Sequence, residues 1–195
     1  MSGRPVCLYD ANVLYSAQLR DFLMRLVLGG ALRAHWTEQI HEEWMRNVEV
    51  DYPDITWEEL RRVRSLMDEA LPRAEVTGYE GRIEDLSLPD PNDRHVLAAA
   101  IHAGADHIVT FNIRDFPSSK LESWDIEATG IGELVSGLFG QMPGRIIDVA
   151  RRHRQSLTRP SKSPEEYLQL LRGCRLEETA RLLRNPLMKE HQGRI

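Results

Sequence analysis

Short unbroken apolar runs alternate along this chain with longer stretches in which apolar residues recur three and four apart. Pro5 to Tyr9 is such a run, and it stops at Asp10 and Asn12 before a helical pattern begins. That order predicts a short buried strand with a carboxylate at its carboxyl end. From Ser16 to Leu28, residues Leu19, Phe22, Leu23, Leu26 and Val27 fall at helical spacing, and Gly29-Gly30 stops them. LRAHW (32–36) is a second strand candidate. Thr37 is placed to cap a helix through 38–48, with Ile40, Trp44 and Val48 on one stripe and Glu43 at its edge. Thr56 and Glu59 have capping-box spacing for the next helix. AEVTGY (74–79) is a further strand candidate. A helix over 93–103 has Asp93 in its first turn and Gly104 at its end. HIVTFNI (107–113) reads as a buried strand with Asn112 and Asp115 at its carboxyl end, and DIEATGI (125–131) as one more. Two helical stretches broken near Pro143-Gly144 follow. Beyond a proline-rich linker, Ser163, Pro164 and Glu166 start another helix, Gly173 stops it, and a last short helix comes after.

Strands thus alternate with helices up to about residue 130, which predicts an α/β fold with a mostly parallel sheet and helices on both faces. Such sheets bind ligands outside the carboxyl ends of their strands, the edge where Asp10 and Asp115 are expected. The boundaries that follow are a domain at 1–140 and a small helical extension at 141–195. At 195 residues the chain suits one domain of ordinary size with an appendage, and 42% hydrophobic residues can build its core without staples. No run approaches the roughly 20 apolar residues of a membrane helix, and MSGRPVCLYD lacks an apolar signal core. A cytoplasmic protein with no membrane contact is expected. Cys7 and Cys174 form neither a disulfide framework nor a zinc spacing, so both are read as reduced structural thiols.

The net charge of -5 conceals a division. Residues 1–140 carry 13 Lys+Arg against 24 Asp+Glu, and residues 141–195 carry 12 against 6. The basic end includes Arg145, Arg151, Arg152 and Arg154, which read either as a solvated helix face or as a contact for RNA or a partner protein.

Within the acidic part, four carboxylates adjoin apolar sequence: Asp10, Glu43, Asp93 and Asp115. Each alone has an ordinary explanation as a strand end, a helix terminus or a solvated residue. Together, at strand ends and helix positions, they describe a cluster whose mutual repulsion calls for a divalent cation. All-oxygen ligation selects Mg²⁺ or Mn²⁺ over zinc. His41-Glu42-Glu43-Trp44-Met45 lacks the second His of H-E-x-x-H, no G-x-x-x-x-G-K loop occurs, and a phosphatase with a nucleophilic Asp would need Asp where Asn12 stands.

These residues resemble the PIN-domain ribonucleases, and within them the toxins of bacterial VapBC toxin-antitoxin systems. The resemblance covers about residues 5–130 and rests on Asp10-Ala11-Asn12-Val13-Leu14, on Ile40 to Arg46 presenting Glu43, on Asp90-Pro91-Asn92-Asp93-Arg94-His95-Val96-Leu97-Ala98-Ala99-Ala100, and on Thr110-Phe111-Asn112 with Asp115 following. It implies a three-layer α/β/α domain and a metal-dependent endoribonuclease that hydrolyses RNA with a metal-activated water. Asp10, Glu43 and Asp93 would be metal ligands, Asp115 a fourth acid, Asn12 a hydrogen-bonding neighbour and Asp90 either a supporting acid or a loop residue. Many relatives carry an Asp where this chain has Asn112, so the fourth position is divided between Asn112 and Asp115. A VapB-type antitoxin and a homodimer are the partners implied. A solitary RNA-processing PIN nuclease and a non-catalytic PIN-like binding module are the alternatives.

Overall fold

Val6–Tyr9 is buried at all four positions, so the strand needs hydrogen-bonding neighbours along both edges. The computed structural model, which describes residues 3–192, supplies them. Strands β1 (Val6–Tyr9), β2 (Arg33–His35), β3 (His107–Val109) and β4 (Glu127–Thr129) form one sheet in the order β2-β1-β3-β4, every pair parallel. In register, Cys7 lies between Ala34 and His107, and Ile108 faces Ala128. Parallel neighbours require crossovers, and helices make them. In chain order the crossover helices are α1 (Ala11–Leu14), α2 (Ala17–Leu28), α3 (Glu38–Asp51), α4 (Trp57–Ala70), α5 (Arg94–Ala103) and α6 (Ser118–Leu121), and after β4 come α7 (Ile131–Gln141), α8 (Pro143–Ser156), α9 (Pro164–Gly173) and α10 (Glu177–Gln192). The α/β class with a parallel sheet flanked by helices, followed by C-terminal helices, is the one expected.

By internal contacts the chain forms two compact units: residues 1–15 with 32–130, and residues 16–31 with 131–195. Residues 16–31 therefore group with the C-terminal helices although they precede residue 140. The extreme ends of the two expected spans, 1–2 and 193–195, lie outside the described residues. In the first unit α5 packs on β1 and β3, and α3 packs on α1 and α4. Trp36 and Trp44 are fully buried there; Trp36 Nε1 donates to Asp68 Oδ1 (3.1 Å) and Trp44 Nε1 to His41 Nδ1 (2.9 Å). In the second unit α2 packs on α8, and α10 on α7, α8 and α9. Gly29 is required where α2 meets α8, because a Cβ there would lie 2.7 Å from Val149 Cγ2 and 2.9 Å from the Arg25 carbonyl.

The expected helix starts are present as caps. Thr37 Oγ1 accepts from Ile40 N (3.1 Å), and both the Thr56/Glu59 and Ser163/Glu166 capping boxes are complete. Two strand expectations change. AEVTGY makes one parallel bridge, Trp36 with Glu75, and no strand, being bounded by Pro72 and by Gly78 at φ 78°. HIVTFNI is a strand only to Val109: Thr110 N still donates to Thr129 O (3.1 Å), and the chain then runs into a 3-10 turn over Ile113–Asp115. Cys7 and Cys174 are free, and burial pushes the Cys7 thiol up to about 12. Among the described residues no helix is long and apolar enough to cross a membrane.

One buried titratable group stands inside the second unit. His153 is fully buried, its Nδ1 lying 3.0 Å from Tyr167 Oη and its Nε2 3.5 Å from Asp21 Oδ2. Burial lowers its pKa to about 4, against the pull of Asp21, with Arg25 lowering it further. A His whose folded pKa lies below its unfolded value is bound by a proton more readily when unfolded, so its contribution is intact above about pH 6.5 and is lost as pH falls toward 4. Urea unfolding from pH 7 to pH 4 should therefore show His153→Gln losing less stability than the unmodified chain, by on the order of 2–3 kcal/mol across the window. Parallel pH profiles for the two proteins would contradict the assignment.

Candidate active site

The sheet order puts the switch point between β1 and β3, because the chain leaves β1 to one side for β2 and returns on the other for β3. Asp10 and Thr110 stand directly at the carboxyl ends of those two strands. Asp10 caps α1, its Oδ1 accepting from Ala11 N (2.7 Å). Its Oδ2 accepts from Thr110 Oγ1 (2.7 Å) and from Asn12 Nδ2 (2.6 Å). Asn12 Nδ2 also reaches Thr110 Oγ1 (2.9 Å), while Asn12 Oδ1 accepts from Phe111 N (3.0 Å) and Thr110 Oγ1 accepts from Asn112 N (3.0 Å). The lock fixes the Asp10 carboxylate, 6% exposed, at the crevice. Burial pushes its pKa up; the Thr110 and Ala11 hydrogen bonds oppose that, Glu43 adds to it and His95 opposes it.

Asp93 ends a short 3-10 turn (Pro91–Asp93) and occupies the N-cap position of α5. Its backbone is helical and its side chain makes no capping bond, so the carboxylate is not consumed by the helix end. Asp90 takes the local role instead, accepting from Asn92 N (2.8 Å). Burial raises Asp93 to about 6, and the negative charges of Asp10, Asp90 and Asp115 add to the rise while His95 opposes it. Two acids distant in sequence, Asp10 and Asp115, and one near it, Asp90, thus act on one carboxyl group. Asp115 ends a second 3-10 turn (Ile113–Asp115) after β3. Asn112 contributes backbone there: its N–H goes to Thr110 and its carbonyl accepts from Asp115 N (3.0 Å).

Glu43 lies in the middle of α3 with its side chain one-third exposed. Its Oε1 is 3.0 Å from Nε2 of His95, itself 4% exposed, and accepts from Gln39 Nε2 (3.2 Å). Sequence reasoning passed over His95, although its place two residues after Asp93, on the buried side of the helix, was visible in the pattern. Thr110 was missed similarly. Among the described residues no three His, Cys, Asp or Glu side chains converge tightly enough to enclose one ion. The donor set nevertheless suits a hard divalent cation: the ends of β1 and β3, the start of α5 and the face of α3 supply carboxylate oxygens. Burial raises Asp93 to about 6, and the neighbouring negative charges add to the rise, so an ion placed among these oxygens would relieve both.

Arg145, Arg151, Arg152 and Arg154 lie in α8 of the other unit, and separate roles emerge for them. Arg151 Nη1 bridges Asp148 (2.8 Å), Arg154 Nη1 donates to the Lys162 carbonyl (2.9 Å), and Arg145 Nη1 donates to the Gly30 carbonyl.

Comparison with known proteins agrees with this fold. Residues 6–114 match the PIN domain family, and residues 133–185 match the family described as the VapC50 C-terminal domain. The chain is 34% identical over 76 residues to "Putative ribonuclease VapC50" of Mycobacterium tuberculosis (strain ATCC 25618 / H37Rv), a stretch that covers 37% of this chain and 45% of that protein. The chain thus spans less than half the length of that relative. No solved structure matches.

The different settings of Asp10 and Asp93 separate their variants in metal-free protein. Asp10→Asn replaces an acceptor with an NH₂ group facing one of three donors, which should cost about 1–2 kcal/mol. Asp93→Asn removes a charge whose ionisation the folded state resists, so it should raise the melting temperature in chelator at pH 7. Because the folded pKa of Asp93 is raised, the advantage is full above about pH 6 and vanishes as pH falls toward the ordinary 3.8. Calorimetry across pH 4–7 measures both, and a destabilised Asp93→Asn would contradict the repulsion.

Proposed function

The chain belongs to the PIN-domain family, and from that premise we propose that it is a metal-dependent endoribonuclease acting as the toxin of a toxin-antitoxin pair. The supporting observation is the charge coupling of Asp93 to Asp10, Asp90 and Asp115 at the switch point of the sheet. On this reading Asp10, Glu43, Asp93 and Asp115 hold Mg²⁺ or Mn²⁺, and the proximity of Asp115 to Asp93 favours it over Asn112 for the fourth position. The chemistry such an ion supplies is a water of lowered pKa and stabilisation of charge on the scissile phosphate and leaving oxygen.

The residues of the chain do the positioning. Asp10 is the rigid anchor, since Ala11, Asn12 and Thr110 leave its carboxylate little freedom to rotate. Asn12 and Thr110 keep the ends of β1 and β3 in register beneath the crevice. His95 and Gln39 both hold Oε1 of Glu43, which leaves Oε2 for a ligand. Asp93, with no capping duty, faces the other acids. The acids repel an RNA backbone by themselves, so phosphate entry and cation binding go together. A single-stranded or looped RNA is the proposed substrate, because its backbone can be splayed into a narrow crevice. A VapB-type antitoxin is the proposed partner, and a homodimer the proposed assembly. The domain division we propose is a nuclease domain at 1–140 and a helical extension at 141–195; two separate family matches, at 6–114 and 133–185, favour a two-part chain, the second of them beginning a few residues before that boundary. The pairing of Glu43 with His95 favours one other reading, a binding module in which the acids meet a cationic partner instead of an ion.

The test is cleavage of single-stranded and stem-loop RNAs by the purified chain in chelator, then with Mg²⁺ or Mn²⁺ restored. Cleavage is expected only with the ion, and Asp93→Asn should slow it on the order of 100-fold while remaining folded. Cleavage that persists in chelator, or equal rates for both proteins, would sink the carboxylate mechanism. Inactivity of the unmodified chain under every condition selects the binding module.

Holding Glu43 has its own consequence. His95→Phe, which keeps ring volume but no donor, should weaken Mn²⁺ affinity by about 10- to 100-fold in calorimetric titration, with partial recovery in His95→Gln. Identical Mn²⁺ affinities for all three proteins would remove His95 from this role.

A further inference from the structure

The second unit holds a cavity of about 600 Å³ between the end of α2 and the start of α8, within the roughly 300–1,000 Å³ typical of small-ligand pockets. Three arginines line it: Arg25 from α2, and Arg145 and Arg152 from α8. One carboxylate, Asp148, shares the lining, and it is already bridged to Arg151 at 2.8 Å. The guanidinium groups are only lightly used. Arg25 commits Nε to Asp21 (2.9 Å), Arg145 commits one Nη to the Gly30 carbonyl, and Arg152 is exposed with no hydrogen bond among the described residues. Apolar walls stand beside them, Leu28 at 61% exposure and Met142.

Planar guanidinium forks bind phosphate oxygens in pairs, and an exposed aliphatic wall beside them gives apolar cover to a base or sugar. We propose that this cavity is a phosphodiester-binding subsite that takes one nucleotide of a single-stranded RNA. The proposal rests on the reading of RNA as substrate and deepens it. The charge distribution agrees: the second unit carries 14 Lys+Arg against 8 Asp+Glu, and the first 11 against 22. It also sharpens the sequence reading of the basic cluster, because Arg151 and Arg154 are spent on Asp148 and Lys162 while Arg25, remote in sequence, joins Arg145 and Arg152.

The test measures binding in chelator, where cleavage is suppressed, using a labelled single-stranded RNA oligomer and the full chain. Arg152→Glu should weaken the RNA complex roughly 5- to 10-fold and lower the slope of log affinity against log salt by about 1, the signature of one lost phosphate contact. Arg181→Glu, a charge change of equal size on α10 at a residue paired with Glu178, should shift affinity less than about 2-fold. Because Arg152 has no partner among the described residues, the substitution does not threaten the fold. As a measurement that needs no variant, titration of the unmodified chain with the same RNA should shift the amide signals of Gly29 and Gly144. Unchanged affinity and slope in Arg152→Glu, or unmoved amides at Gly29 and Gly144, overturns the subsite. So does a polyglutamate peptide that displaces the RNA and depends more strongly on Arg152, which would make the cavity a protein-docking site. Cleavage assays run separately keep the two readings apart. RNA held here by a chain that does not cut leaves the subsite standing without the nuclease, and cutting with unchanged binding in Arg152→Glu does the reverse.

Discussion

The hydrogen bonds joining Asp10, Asn12 and Thr110 are the constraint on which the site depends. They tie the carboxyl end of β1 to that of β3, the two strands that meet where the sheet changes direction. A buried carboxylate costs several kcal/mol or so unless donors surround it, and three donors do so here. Two consequences follow from one arrangement. Beyond Val109, Thr110 turns its hydroxyl into the lock and Asn112 folds its N–H back onto that hydroxyl, leading into the 3-10 turn that presents Asp115. The Asp10 carboxylate, held from beneath, is left beside the remaining acids with its charge imperfectly compensated.

Around that fixed point the other acids are held with graded freedom. Asp93 sits at a helix start yet performs no capping, and a capping bond there would have consumed the oxygens that now act on Asp10 and Asp115. Asp90 relieves it by bonding Asn92. Glu43 comes from a different helix and is oriented by a buried imidazole from α5, so the position of α3 relative to α5 is expressed directly in the direction of a carboxylate. With Oε1 held by His95 and Gln39, Oε2 of Glu43 keeps a freedom that the Asp10 carboxylate lacks.

Much of this was legible in the chain. The Thr37, Thr56 and Ser163 caps, the stops at Gly29 and Gly104, and the parallel arrangement follow from spacing, since caps and periodicity are local physics. The acids were legible as a set because each interrupts or borders apolar sequence. What was not legible depends on partners distant along the chain. AEVTGY has strand-like composition but finds only Trp36 across from it, and one bridge does not make a strand. His95 reads as one more residue of an apolar helix until α3 brings Glu43 to it. The arginines of α8 read as a single basic cluster, yet neighbours at Asp148, Lys162 and Gly30 divide them, and Arg25 enters from a helix 120 positions earlier than Arg145. The grouping of residues 16–31 with 131–195 was hidden for the same reason, as nothing local to α2 announces that its apolar stripe meets α8.

The separation of charge between the two units bears on how a polyanion could be handled at all. An acidic unit carrying 22 carboxylates against 11 cations repels a phosphate backbone over a range set by screening, about 8–10 Å at physiological salt. A bound divalent ion reverses the field only close to itself, so it helps a phosphate already at the crevice and does little for one still approaching. Attraction at longer range has to come from elsewhere in the chain, and the excess of cations lies in the second unit. In that unit, the guanidinium groups that line the cavity have donors to spare. Affinity and chemistry would then be carried by different parts of one molecule: weak, salt-sensitive holding by arginines, and cleavage at carboxylates that bind phosphate only together with a cation. On the proposed reading, such a division lets an acidic cation-binding site act on RNA without itself being a good RNA-binding surface.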